Sequence, residues 1–309
     1  MDLRVFEESS LVIALRALRG VALANGPVTE AERSVLEIVA SLHERDVDID
    51  ALLPITPAEV AGALTEPHAR KRLVQLALVM AMTDGDPTEA QEAAVRALAA
   101  SLGVDEPGLK LLGDLVRDHP VAVRLDVLRR VVPAVLGKAS LATGLRTAAK
   151  ALLGVNVNPV VAWRYKSLGL LPAGTFGRAF WEHCTARKFA FPGERGGLPE
   201  LGVFHDFAHV LSGYDTDPAG EIQQGAFQAG NRRHDGFAFL LFVLVQFHLD
   251  IRTTPAAKSQ KGFFKPSDVL GAVARGAACK VDLTDGWDFW AVVDRPLDEL
   301  RRDYGVAPR

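Results

Sequence analysis

An all-α fold is predicted by three features of the sequence. Apolar residues recur at three- and four-residue spacing along most of the chain, no long stretch alternates apolar with polar residues as a half-buried strand does, and a helix-turn-helix pattern occurs twice in the first half. The 309 residues, 49% apolar and 24% charged, fit an ordinary globular protein of about two domains and argue against disorder or a repetitive fibre.

The opening segment, MDLRVFEESSLVIALRALRG, places Glu7 and Glu8 before its apolar run and Arg16 within it, unlike a secretory signal. The repeated pattern follows: ALANGPVTEAERSVLEIVASL at 22–42 is echoed by AMTDGDPTEAQEAAVRALAASL at 81–102. Gly26 and Gly85 suit a helix stop with positive φ, and Thr29 and Thr88 suit the cap of the next helix. Two such units are expected to pack on each other, giving a helical domain over residues 1–120. Over roughly residues 10–115 the arrangement resembles the tellurite-resistance TerB-like domain, whose repeated acidic-turn signature is similar to NGPVTEAE and DGDPTEAQE. The resemblance implies a helix bundle that recruits protein partners, and it brings Asp84, Asp86, Glu89 and Glu92 forward as metal-binding residues. Solvated carboxylates favoured by a helix N-terminus explain them more simply, so they are not taken as ligands.

Residues 121–154 form a basic amphipathic linker region, with Arg124, Arg129, Arg130, Lys138, Arg146 and Lys150 against the acid Asp126. It suits either an anionic membrane surface or an interdomain helix covered by its neighbours; Pro133, Gly137 and Gly144 favour the second. VNVNPVVAW marks a turn, and the domain boundary is placed near 154–160. The net charge of -3 argues against nucleic acid as a main partner. Cys184 and Cys279 lie far apart with no C-x-x-C partner, which points to a reducing, cytoplasmic setting without disulfides or thiolate metal sites.

The third region, residues 155–309, carries the chemistry. His205, Asp206 and His209 stand at i, i+1 and i+4 of a short apolar helix, so at about 100° per residue their side chains share an arc of about 100°. Gly213 and Asp215-Thr216-Asp217-Pro218 stop that helix and start another, whose first turn returns Glu221 to the same point. Two imidazoles and two carboxylates suit zinc first, with iron or manganese as alternatives; calcium and magnesium prefer oxygen ligands. An isolated His or Asp on an apolar helix is usually a hydrogen-bonded core residue or a cap, but four ligand types meeting at a marked turn outweigh that reading. The longest uncharged apolar run, Gly236 to Leu249, is shorter than the roughly 20 residues that span a membrane. It fits a buried helix or, through Phe237, Phe239, Phe242 and Phe247, the wall of a lipid groove.

H-D-x-x-H, eleven residues and then Glu-Ile resembles the signature of the Coq-four family of ubiquinone (coenzyme Q) biosynthesis proteins. LPAGTFGRAF at 171–180 and WAVVDRPLDELRRDYGV at 290–306 are similar to further family segments, in order, so the likeness spans roughly 155–309. Gln228 stands beside Phe227 where the family often has Glu. The resemblance implies a mostly helical domain with a metal at His205, Asp206, His209 and Glu221, a pocket for a polyprenyl tail, and Arg178 as a contact for the substrate's acidic head. It also implies an activity, oxidative decarboxylation of a prenylated or lipophilic hydroxybenzoate-type ring, with peripheral contact at the inner face of a membrane. The alternative is a non-catalytic lipid-binding scaffold for a quinone or lipid biosynthesis complex, its metal structural. A phosphohydrolase, prompted by the His-Asp pair, lacks the additional upstream His and downstream Asp.

Overall fold

The computed structural model describes residues 1–136, 157–254, 257–307 and 309. Among them are fourteen α-helices and no β-strand, so the fold is all-α. In chain order the helices are α1 (Glu8–Ala22), α2 (Glu30–Leu42), α3 (Pro57–Ala63), α4 (Pro67–Met82), α5 (Glu89–Leu102), α6 (Gly108–Val116) and α7 (Pro120–Leu136). They continue with α8 (Pro159–Lys166), α9 (Phe176–Arg187), α10 (Val203–Ser212), α11 (Pro218–Asn231), α12 (Gly236–Phe247), α13 (Pro266–Ala277) and α14 (Leu297–Tyr304).

The repeated segments fold as their caps require. Thr29 and Thr88 each accept from the backbone N–H three residues on, and Glu32 and Gln91 reach back to the cap N–H, so α2 and α5 open with matching capping boxes. The two copies then meet through the equivalent residues Gln91 and Glu32 and through the Thr29 cap. Gln91 Nε2 donates to Glu32 Oε1 at 3.2 Å, 59 residues away, and the Thr29 hydroxyl donates to Asp84 at 3.0 Å. Glu32 is fully buried, and burial raises its pKa although both Thr29 and Gln91 hydrogen-bond to it. Two of the acidic-turn residues are thus used internally, Asp84 by Thr29 and Glu92 by Arg96 at 2.7 Å and Arg117 at 3.3 Å.

Helix α7 covers the start of the basic segment. Its buried Asp126 pairs with Arg129 and Arg130, while Val121 and Leu125 face solvent. The remainder of that segment, residues 137–154, and the first part of the expected boundary lie outside the described residues. The apolar core runs through both halves, from Leu3 to Val306, with α13 against α2 and α12 against α7. His248, just after α12, adds a polar fastening: its Nε2 donates to the carbonyls of Met82 and Thr83 at the end of α4, at 3.1 and 2.9 Å.

Helix α11 is the centre of the C-terminal half, packed between α12 and α13. Backbones approach closely there: a Cβ on Gly230 would stand 1.9 Å from the Val273 carbonyl oxygen, and one on Gly276 1.9 Å from that of Phe227. Phe237, Phe239 and Phe247 of α12 are buried in the core, as a buried helix requires. No helix among the described residues is long and apolar enough to cross a membrane.

Candidate metal centre

The centre is built from one helix end and the next helix start. In α10, Val203, Phe207, Val210 and Leu211 face the core, and Phe207 stacks between Phe180 at 3.9 Å and Phe289 at 4.4 Å. That anchoring turns the His205 and His209 face toward α11. Gly213, at φ 81, ends α10 in the left-handed conformation that suits glycine. Arg301 of α14 completes this end by donating to the carbonyls of Leu211 at 2.9 Å and Val210 at 3.0 Å.

Across the turn, the Asp217 side chain accepts from the Gly220 N–H at 2.7 Å and caps α11, with Pro218 in its first turn. Gly220 has no room for a side chain, since a Cβ would lie 2.1 Å from the Asp215 carbonyl oxygen. Arg187 of α9 fixes the turn by donating to Asp215 at 2.7 Å and Thr216 at 3.0 Å. Glu221 in the first turn of α11 consequently points back at α10.

His205 Nε2 lies 3.2 Å from Glu221 Oε2, His209 Nε2 lies 3.6 Å from Glu221 Oε1, and the two Nε2 atoms are 3.1 Å apart. One ligand atom from each of His205, His209 and Glu221 falls within 4.8 Å of the others, a group that could hold a metal ion. The tautomers are set from behind. His205 Nδ1–H donates to Gln228 Oε1 at 2.8 Å, and His209 Nδ1–H donates to the Tyr214 carbonyl at 3.0 Å. Both Nε2 lone pairs therefore face the same point beside a carboxylate, an arrangement that needs a cation, either a proton or a metal ion.

The electrostatics agree. Burial opposes charging His205, but the hydrogen bond and charge of Glu221, with Asp206 and Gln228, outweigh it and push its pKa up to about 9. Burial acts on Glu221 in the opposite sense to its imidazole partners, and the partners win, holding its carboxyl well below the usual range.

Three of the four expected ligands are thus brought together, and Asp206 is not among them. It follows His205 directly, so helical geometry rotates it by about 100° from that imidazole. Burial raises its pKa, and its charge acts on His205 and on Cys184 of α9. Arg178 is used elsewhere: it donates to Glu182 at 2.8 Å and to the Gly169 carbonyl, and packs over the Trp181 ring. Arg232 and Arg233 tie the end of α11 to residues 279–284 through Thr284, Cys279 and Asp282.

Two contributors were not expected from the sequence. Gln228 stands seven residues after Glu221, so helical spacing could have found it. The Tyr214 carbonyl leaves no such mark. Burial first, then Arg187 and His209, bring the His183 pKa down to about 4. His183 and His209 both line an open surface depression of about 430 Å³ between α9 and the α10–α11 turn. In comparison with known proteins, no family model matches the chain and no curated protein matches its sequence.

Proposed function

We propose that this chain is a metal-dependent enzyme acting on the carboxylate of a prenylated or otherwise lipophilic hydroxybenzoate-type ring, by oxidative decarboxylation in a quinone pathway. The observation that carries the reading is the convergence of two imidazole Nε2 atoms, 3.1 Å apart, on the Glu221 carboxylate. Zinc is the first candidate, with iron or manganese next, because the donors are two nitrogens and a carboxylate. Such an ion would supply Lewis-acid stabilisation to a bound carboxylate or ring oxygen, while dioxygen would have to serve as the oxidant, zinc itself being redox-inert.

The chain's own residues do the positioning. Gln228 and the Tyr214 carbonyl hold the two imidazoles in the tautomer that presents Nε2. Arg187 and Gly220 set the turn that aims Glu221. An ion held by His205, His209 and Glu221 alone would have room for a substrate oxygen, as catalytic rather than closed structural sites do. The aromatic-acid substrate class rests on the likeness of segments 171–180, 205–222 and 290–306 to ubiquinone-biosynthesis proteins. Two free, buried cysteines accord with a reducing cytoplasmic setting.

The test combines metal analysis of the purified protein with release of labelled carbon dioxide from a prenylated hydroxybenzoate. The expected result is about one metal ion per chain, lost in His205→Ala and Glu221→Ala together with carbon dioxide release, while helicity is kept. Full metal retention in Glu221→Ala would overturn the metal centre. Metal that is required for folding, with no carbon dioxide release but a prenyl lipid co-purifying, would instead establish the scaffold alternative.

A further inference from the structure

Helix α8 buries one side and leaves the other apolar and uncovered. Ala162 and Tyr165 face the core, where the Tyr165 ring meets Phe180 at 6.0 Å and Trp290 at 4.9 Å. Val160 and Trp163, three residues apart, lie on the opposite side at 75% and 68% exposure. The chain then tightens into a 3-10 turn over Ser167–Leu170, which buries Leu168 and leaves Leu170 86% exposed. Seven residues after Trp163, Leu170 extends the same stripe by the helical period. Among the described residues nine large apolar side chains are exposed, and four of them, Val157 included, fall within residues 157–170. Exposed apolar side chains scattered singly need no explanation, whereas their concentration on one helix face marks a contact surface.

The surrounding charge points to what covers it. Residues 127–181 contain eight Lys and Arg and no Asp or Glu, in a chain whose acids outnumber its bases by 38 to 35. With the flanking Asp126 and Glu182 counted, the stretch still keeps a surplus of six positive charges. On α8 itself Arg164 and Lys166 are both exposed and stand on either side of the stripe. The Arg164 guanidinium packs over the Trp290 ring at 3.7 Å, and Lys166 pairs with Glu194. That pair is partly open to water, where ion pairs are worth little, so Lys166 is able to turn to another anion.

An apolar stripe edged by long cationic side chains suits a helix lying in the headgroup region of an anionic bilayer. Apolar side chains enter the acyl boundary, Trp takes the interface, and Lys and Arg reach the phosphates. A second copy of the chain fits less well, because a two-fold contact through this face would set Arg164 and Lys166 against their own counterparts. We propose that α8 and the turn after it form a docking face for an anionic lipid surface, with Val160, Trp163 and Leu170 inserted and Arg164 and Lys166 on the lipid phosphates. The attachment is to the surface, and it stands independently of the metal reading.

Co-sedimentation of the full chain with lipid vesicles tests it. The chain is expected to bind vesicles of phosphatidylcholine mixed with phosphatidylglycerol far better than pure phosphatidylcholine, and binding should weaken as salt is raised. Trp163→Ser should lower affinity for the mixed vesicles at least about tenfold, through loss of one inserted apolar side chain. Lys166→Gln should lower it about fivefold, through loss of one cation at the surface. Helicity by circular dichroism should be unchanged, since both side chains are exposed; Leu170→Ser carries the test if Trp163→Ser fails to fold. Equal binding to neutral and anionic vesicles, or mixed-vesicle binding that survives all three substitutions, would overturn the proposal. No binding of the wild type to the mixed vesicles would overturn it as well, and dimerisation lost in Trp163→Ser would then give the face to a second copy.

Discussion

Two kinds of helix-turn-helix occur in this molecule, and their carboxylates have different fates. In the repeated units of the N-terminal half, the acids at the seam between the copies meet hydrogen-bond donors. Glu32 closes a capping box and accepts from Gln91, Asp84 accepts from Thr29, and Glu92 is shared by Arg96 and Arg117. In the α10–α11 unit, Glu221 instead meets two imidazoles whose N–H groups are committed elsewhere. An acidic helix start thus becomes a cation site when the groups opposite it are lone-pair donors, and remains structural when they are N–H or O–H donors.

The largest expected effect separates the two units directly. His209→Ala or Glu221→Ala should lower metal affinity at least about 100-fold, more than loss of an outer-shell partner, whereas Glu92→Ala should leave it unchanged. Calorimetric titration with zinc checks both; equal losses would erase the distinction. Gly220→Ala comes next. Its Cβ would stand 2.1 Å from the Asp215 carbonyl oxygen, so the turn must shift, at a cost of about 1–3 kcal/mol in urea unfolding with weakened metal binding. Gln228→Leu should keep the fold and lower zinc affinity about 10–100-fold, because the His205 tautomer loses its support.

A pH series sharpens the comparison further. His205 ordinarily titrates at 6.5 and is raised to about 9, so its contribution to metal-free stability is complete below pH 6.5 and lost as pH rises through about 9. Glu221, ordinarily at 4.5, is lowered, so its contribution is present above pH 4.5 and lost as pH falls through its folded value. The melting temperature of the metal-free protein should therefore decline from pH 6.5 to 9 through this pair, while the stabilisation added by zinc grows as the competing proton leaves. A zinc effect that shrinks over that interval would contradict the shared site. The smallest change is expected at the repeats: Thr88→Ala removes one cap and should cost about 1 kcal/mol with zinc binding unaltered.

Much of this was legible in the sequence because it is local. The helical period, the Thr29 and Thr88 caps, and the return of Glu221 to the His205–His209 face all depend on residues within a few turns of each other. Helix geometry and turn chemistry act over that range without help from the rest of the chain. Which residues stand around the resulting point is a different matter. Asp206 shares the motif but not the cluster, Arg178 is taken by Glu182 and Gly169, and α12 buries its aromatic residues between α11 and α7. His183, 22 residues before His205, comes beside the His209 ring because α9 packs on α10 and Arg187 clamps the turn. These outcomes follow from which helix faces the common core selects. That selection depends on contacts between residues distant in the chain, which spacing along one helix does not encode.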